Sequence, residues 1–259
     1  MSNHRIPYII AAIAAATFMF AETARADGWQ LTLAPYIWMT SLDGKVGVHN
    51  QKREIDASFS DILDDSDSVL AFNADVRLFN GRFGFLFSPS YMQIGADDVG
   101  HNQLLEADFT TDLLFIDAAL EYRVVDWPMD TPGGQQTSVT VDALAGVRYT
   151  RLSVELDFDN FGSPDQDKDW FDPIIGAESK VDFTPRIFMT LRGDVGGFGA
   201  GSEFTTNAMG TIGWRFSLFG ADAAVRAGYR IIYQDFDEGG FNWRMNIHGP
   251  ILGLMTTWG

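Results

Sequence analysis

The chain of 259 residues contains no cysteine. Disulfide bonds, thiolate metal ligands and cysteine nucleophiles are therefore excluded, so the fold must be held together without covalent cross-links. Basic residues are also scarce, because 18 Lys and Arg stand against 35 Asp and Glu and give a net charge of −17. A surface of this sign repels phosphate backbones, which excludes a nucleic-acid-binding protein.

Long apolar runs are missing as well, except near the N-terminus. Residues 6–21 are nearly all apolar, follow Arg5 and precede Ala24-Arg25-Ala26, a small-x-small sequence typical of a cleavage site. This pattern predicts a signal peptide over residues 1–26 and an exported mature domain over residues 27–259. A retained membrane anchor would need about 20 apolar residues, which is more than this run offers.

The mature sequence is rich in aromatic residues and glycine, and it alternates. In residues 139–149, for example, Val139, Val141 and Val147 alternate with Thr140 and Arg148. Period two indicates β-strands with one apolar and one polar face. The alternating segments run for about 12–20 residues, longer than strands of soluble sheets and sufficient to cross a bilayer. We therefore predict an all-β, transmembrane, antiparallel up-and-down barrel.

The strand count follows from connection lengths, since such barrels have short periplasmic turns and long outer loops. Short turns are predicted at 80–81, 183–186 and 217–220, and residues 124–136 form a longer periplasmic connection. Residues 41–67 form the first outer loop, with a small hairpin (44–49 with 53–58) and a helical turn at 59–64. Ten strands are expected, with eight or twelve as alternatives. The predicted crossings are 29–40, 68–79, 82–95, 104–123, 138–156, 170–183, 187–198, 204–216, 221–235 and 243–258.

Four segments carry a family resemblance: APYIW at 34–38, FSDIL at 59–63, DPIIG at 172–176 and LRGDVGGF at 191–198. With them the chain resembles the small bacterial outer-membrane β-barrel proteins, in a poorly characterised branch. The resemblance implies location in the outer membrane of a Gram-negative bacterium, in contact with lipid and lipopolysaccharide. It also implies insertion by the barrel-assembly machinery, which the apolar last strand ending at Trp258 fits. It transfers no catalytic residues, and we expect a monomer.

The charges within the strands have a predicted direction. In TLRGDVGGFG at 190–199, the apolar row is Leu191, Gly193 and Val195, which leaves Arg192 and Asp194 on the opposite face. A charge facing lipid at mid-bilayer costs about 2–4 kcal/mol, so these two side chains should face the lumen. An Arg-Gly-Asp tripeptide in that position is not displayed to a cell-surface receptor.

The same reasoning predicts a lumen charge network. Its interpretation stays open between structural ion pairs that fill a narrow barrel, which lumen size favours, and a constriction that selects small solutes. Residues Phe59, Ile62 and Leu63 of the first outer loop are predicted to plug the mouth. The predicted network comprises Asp75, Arg77, Asp117, Glu121, Arg123, Asp142, Arg148, Glu178, Lys180, Asp182, Arg192, Asp194, Arg215, Arg226, Arg230 and Arg244.

The acidic outer loops predict no firm metal site and no cofactor. Asp165, Asp167 and Asp169 are spaced like the start of a calcium loop. However, Trp170 stands where that loop requires glycine, and Gly176 stands where it requires a carboxylate. Solvated loop charge is the favoured interpretation, with weak divalent binding beside lipopolysaccharide phosphates as the alternative.

An enzyme is not expected. His101 and His248 are the candidates for an outer-rim hydrolase, either a protease or a lipid A-modifying enzyme. Neither has a serine or carboxylate at a convincing sequence spacing. His248 is predicted to face the lumen with Arg244 and Asn246. The expected function is therefore a structural or surface role or a passive small-solute channel, with a hydrolase or an adhesin as alternatives.

Overall fold

A computed structural model describes residues 28–48, 51–57, 59, 70–96, 107–130, 136–158, 166–218 and 221–259. The predicted signal peptide lies outside these residues. No helix among the described residues is long and apolar enough to cross a membrane. The strands are β1 (Trp29–Trp38), β2 (Ser41–Val48), β3 (Gln51–Ala57), β4 (Leu70–Asn80), β5 (Phe83–Ala96), β6 (Ala107–Asp130), β7 (Gln136–Phe158), β8 (Gln166–Asp182), β9 (Ile187–Gly197), β10 (Phe204–Leu218), β11 (Ala221–Glu238) and β12 (Phe241–Trp258).

Ten of these strands close into a barrel. β1 pairs with β4, β4 to β12 pair in chain order, and β12 pairs with β1, all antiparallel. The remaining hairpin, β2–β3, is hydrogen-bonded to β12 through β2. The prediction of a ten-stranded barrel is confirmed, and the predicted hairpin adds to the wall without changing the closed strand count.

β2 continues β1 along the same partner strand. Leu31 pairs with Trp258 and Val48 pairs with Phe241, so the register with β12 is unchanged from one strand to the next. The β2–β3 hairpin is therefore an upward extension of the wall. When the paired residues are followed from strand to strand around the barrel, a circuit that starts at Leu31 ends at Asp43. The two ends differ by twelve residues, and this stagger requires strands that are tilted relative to the barrel axis. The residues paired along this circuit are Leu78, Phe85, Leu120, Ala145, Ile175, Val195, Thr206, Tyr233, Asn246 and Asp43.

Large apolar side chains cover the outside of the barrel in a band. Exposed apolar surface of this extent is rare on soluble monomers and suits contact with lipid. Aromatic residues border the band, with Trp127 and Trp214 near the short turns and Phe171 and Phe198 at the opposite end. Other outward residues of the band are Phe85, Leu120, Ile175, Leu191, Ile212 and Leu252.

The polarity of the two faces inverts beyond the band, at the end away from the short turns. Outward positions there become charged and inward positions become apolar, because the outer wall now meets water instead of lipid. On β12, for example, exposed Arg244 lies between buried Trp243 and Met245. Outward residues of this extension are Asp43, Lys45, Asp112, Arg151, Asp169 and Asp237, and inward ones are Val46, Leu113, Leu152, Trp170, Phe236 and Trp243.

The connection predicted at 124–136 is wrong in its structure. β6 continues to Asp130 and β7 begins at Gln136, so most of that segment is a paired hairpin. A register shift between Arg123 and Val125 marks the point where the hairpin departs from the regular wall. Tertiary pairing therefore extends strands through a sequence that contains Pro128 and lacks clean alternation.

Replacing Leu191 with arginine tests the sidedness of the wall. Leu191 lies at the middle of β9 on the outward face, and its neighbour Arg192 is buried inside. We expect the variant to lose about 2–4 kcal/mol of folding free energy in lipid vesicles, measured by urea unfolding. Leu191→Met keeps the position apolar and should change stability little, and equal stability of the two variants would contradict a lipid-facing Leu191.

Candidate functional site

The centre of the lumen is built around Arg148 of β7, whose side chain has no exposed surface. Its guanidinium donates to both carboxylate oxygens of Asp117 at 2.7 and 3.0 Å, and to Asp194 at 2.9 Å. A fourth hydrogen bond reaches Thr205 Oγ1 at 3.1 Å. The partners come from β6, β9 and β10, so this one side chain ties four strands together across the interior.

Arg192 and Asp194 belong to the same cluster. Arg192 Nη2 donates to Asp117 Oδ2 at 3.2 Å, and Asn207 Nδ2 donates to Asp194 Oδ2 at 2.8 Å. Their neighbours Leu191 and Val195 are exposed on the outer face. The Arg-Gly-Asp sequence thus supplies two members of a buried ion-pair cluster. The glycine between them, Gly193, lies on the outward, lipid-facing side of the strand.

A second part of the network crosses the lumen to β1. Arg230 donates to Asn207 Oδ1 at 2.9 Å and to Tyr36 OH at 2.5 Å, and it lies over the Trp38 ring. Arg226 donates to Asp75 Oδ2 at 3.0 Å, and Ser88 donates to the other oxygen of Asp75. Arginine suits these positions because its planar fork bonds carboxylates while its face stacks on aromatic rings.

The network loosens toward the short turns. Arg77 forms a double hydrogen bond with Glu178 and approaches Glu121 to 3.7 Å. Both oxygens of buried Glu121 lack a hydrogen-bond partner among the described residues. Three further positions, Lys180, Asp182 and Arg215, are partly exposed, and Arg215 pairs with Asp182. Arg123, also partly exposed, pairs with Asp142 at 2.9 Å.

An apolar layer fills the lumen beyond the charged cluster. Trp38, Trp243, Met245 and Ile247 are buried, and all point inward. The indole nitrogens of Trp38 and Trp243 find no acceptor in the described residues. The same buried cluster also contains Tyr36, Leu42, Val46, Ile55, Met92, Leu113, Phe115, Leu152, Trp170, Met209, Ile232, Phe236, Phe241 and Ile251.

Asp172 was not predicted as a site residue, yet its hydrogen bonds fix the turn at 198–203 that joins β9 to β10. Its carboxylate accepts from the Ser202 backbone N–H at 2.6 Å, from Ser202 Oγ at 2.8 Å and from Trp170 Nε1 at 3.1 Å. All three residues are buried. The available signal was its place on the inward row of β8 with Glu178 and Asp182.

The solved structures that match this chain include outer-membrane proteins. The outer membrane protease OmpT from Escherichia coli superposes with a TM-score of 0.52 at 10% identity, over 90% of this chain and 98% of that one. The attachment invasion locus protein Ail of Yersinia pestis has a TM-score of 0.36 at 10% identity, over 90% and 99%. No protein-family model matches the sequence, and no curated protein matches it either.

This chain has the bacterial outer-membrane β-barrel fold. At 10% identity the likeness to OmpT extends to the fold and not to proteolysis. Within the outer-membrane barrel, the cluster around Arg148 and the apolar layer above it are the two arrangements to which a function can be attached.

Arg244 corrects the predicted network. It lies on the outward face of the barrel, exposed, and pairs with Asp235 at 2.8 Å. The predicted inward orientation was wrong because this part of β12 lies beyond the lipid band, where charge faces water. The inward row there consists of Trp243, Met245 and Ile247.

His248 likewise faces outward. Its Nε2 lies 2.9 Å from Asp43 Oδ1, and its Nδ1 lies 2.7 Å from Tyr229 OH. The histidine therefore has a carboxylate partner that sequence spacing did not reveal, since Asp43 is 205 positions away. Nε2 faces a carboxylate and Nδ1 faces a phenol hydroxyl, so contacts at both ring nitrogens orient His248 on the outer wall.

The predicted mouth plug and metal site fall partly outside the described residues. Phe59 is described, and its backbone N–H donates to Ser41 Oγ at 3.1 Å. Ile62, Leu63, Asp165 and His101 lie outside the described ranges, as does the predicted helical turn apart from Phe59. Asp167 and Asp169 are exposed on the outward face. Within the described part of the chain, no three His, Asp or Glu side chains group as metal ligands.

Proposed function

We propose that this chain serves in the bacterial outer membrane as a closed, non-conducting barrel with a structural or surface role. One observation carries the proposal: the Arg148 guanidinium is fully buried while bonded to Asp117, Asp194 and Thr205 from three other strands. In an open aqueous channel such a group would be at least partly exposed, as the side chains that line the water-filled lumen of wide porins are.

The arrangement of two layers supports this choice over a passive channel. A hydrated ion would have to separate the charged cluster and then displace the apolar layer that includes Trp38 and Trp243. Breaking a buried ion pair by removing one partner destabilises a protein by about 3–5 kcal/mol. Partly exposed inward residues of the described part of the chain, such as Lys180 and Arg215, lie in the lumen near the short turns.

A surface role fits the outward face beyond the lipid band. Exposed carboxylates such as Asp167, Asp169 and Asp237 cover it, in keeping with the net charge of −17.

Conductance in a planar lipid bilayer tests the proposal. Purified, refolded protein is expected to give no single-channel steps, with a known porin reconstituted in parallel as the positive control. Insertion is verified by heat-modifiable migration in SDS gels and by protection from protease. Reproducible steps from inserted protein would overturn the closed-barrel proposal in favour of the solute channel.

A further inference from the structure

The barrel wall has a gap on one side, beyond the lipid band. β9 ends at Gly197 and β10 begins at Phe204, so both stop short on this side of the barrel. Their neighbours extend further, since β8 begins at Gln166 and β11 continues to Glu238. Among the described residues, no strand pairs with the β9-side edge of β8 before Ile174, or with the β10-side edge of β11 after Asp235. We call this space between β8 and β11, above the 198–203 turn, the lateral notch.

Among the described residues, the contacts that cross the lateral notch above the 198–203 turn are between side chains. The rings of Trp170 on β8 and Phe236 on β11 stack at 4.0 Å with an interplanar angle of 14°. Two residues closer to the ends of these strands, Lys168 Nζ lies 3.7 Å from Glu238 Oε2, with Glu238 largely exposed. An exposed ion pair contributes only about 0–1 kcal/mol, so this closure is weak compared with the hydrogen-bonded ladders on the rest of the wall.

The floor of the notch is rigid by comparison. Asp172 holds Ser202 through two hydrogen bonds and Trp170 through a third. The Glu203 backbone N–H also donates to the Asp235 carbonyl at 2.8 Å. Opening would therefore move Phe236 and the tip of β11 away from a fixed Trp170.

Behind the closure lies apolar and aromatic surface with unsatisfied polar atoms. Trp243 is the ladder partner of Phe236, and Gln234 lies two residues before Phe236 on β11. Both are buried, and Trp243 Nε1 and Gln234 Oε1 have no hydrogen-bond partner among the described residues. Each such group costs about 1–3 kcal/mol. A ligand with an apolar body and a few polar atoms could satisfy them, whereas simple hydrocarbon packing could not.

The rim of the notch specifies the charge of that ligand. Carboxylates outnumber the basic groups Lys168, Arg151 and Arg244 around it, and Arg244 is already paired with Asp235. An excess of one sign around an opening attracts the opposite sign. The carboxylates are Asp167, Asp169, Glu203, Asp235, Asp237 and Glu238.

From these observations we propose that the lateral notch binds a small cationic amphiphile, which enters between Trp170 and Phe236 from the side of the barrel. The apolar part takes the place of the Trp170–Phe236 stack, and the cation remains among the rim carboxylates. The inference goes beyond the closed-barrel proposal, because a lateral site requires no passage through the charged cluster. Conductance and binding can therefore fail separately.

The test uses the absence of cysteine in the chain. The Lys168→Cys/Glu238→Cys variant can be bridged across the notch by a short bifunctional thiol reagent and released again by a reductant. Binding of the cationic dye rhodamine 6G is measured by fluorescence anisotropy in uncharged detergent, with empty micelles as the blank. Sulforhodamine B, an anionic dye of similar shape, reports selectivity for charge.

We expect the bridged form to bind rhodamine 6G about tenfold more weakly than the same protein after reduction, because bridging lowers the fraction able to open. Phe236→Ala should bind faster than the wild type. The control is the Tyr91→Cys/Asp112→Cys variant, bridged in the same way between β5 and β6. In the native protein Tyr91 OH lies 3.1 Å from Asp112 Oδ1. Bridging this pair should leave dye binding unchanged.

A loss of less than threefold on bridging the notch, or an equal loss on bridging the control pair, would overturn the proposal. Equal binding of the cationic and the anionic dye would also overturn it. Recovery after reduction, together with unchanged heat-modifiable migration, shows that any loss comes from closure of the notch and not from misfolding.

Discussion

Replacing Arg148 with methionine is expected to destabilise the barrel by about 3–5 kcal/mol. Methionine has a similar reach but leaves the Asp117 and Asp194 carboxylates without the guanidinium that now bonds both. Because these groups are fully buried, water cannot replace the lost partner. Urea unfolding in lipid vesicles, followed by tryptophan fluorescence, measures the loss.

Arg244→Met is the matched control for this variant. Arg244 is exposed on the outer face, and its pair with Asp235 lies in water, so the same substitution should change stability by less than about 1 kcal/mol. Adding Asp117→Asn to Arg148→Met should restore part of the stability, because it removes one of the two carboxylate charges that would otherwise share Arg192. Equal losses from Arg148→Met and Arg244→Met would show that the lumen cluster does not stabilise the barrel.

Within the lipid band, the sequence alone predicts the direction of most side chains. A strand there meets hydrocarbon on one side, so the apolar row faces outward and the charged row faces the lumen. Leu191 and Arg192, adjacent in sequence, illustrate this, since one is exposed and the other is buried. The predicted crossings match nine of the ten barrel strands to within four residues at each end, and the exception is β6, which continues to Asp130.

The same rule fails beyond the band, where water replaces lipid on the outside. Charge alone predicts that Arg244 and His248 face the lumen. On the outward face of β12, however, the environment changes from lipid to water between Pro250 and His248. The sequence does not mark that boundary, because Trp243, Met245 and Ile247 alternate as regularly as Ile251 and its neighbours. The height of the membrane on each strand depends on the tilt and stagger of the closed barrel.

The identity of the ion-pair partners also required the fold. Arg148 and Asp117 are ladder neighbours on β6 and β7, so their pairing follows once two adjacent strands are aligned. Arg230 and Tyr36 are 194 positions apart and meet across the lumen, which only barrel closure and stagger determine. The lateral notch is likewise a property of unequal strand ends and not of any local motif.

Trp243→Ala is expected to cost about 3–5 kcal/mol, because it opens a cavity in the apolar layer where Trp243 has no exposed surface. Trp243→Phe should cost less, since Trp243 Nε1 has no acceptor to lose among the described residues and the ring remains. Trp127→Ala is the matched control: Trp127 is 63% exposed on the β6–β7 hairpin. Urea unfolding of the three variants in lipid vesicles ranks them. If Trp243→Ala were as stable as Trp127→Ala, the outer lumen could not be a packed core, and the apolar layer would no longer support a closed barrel.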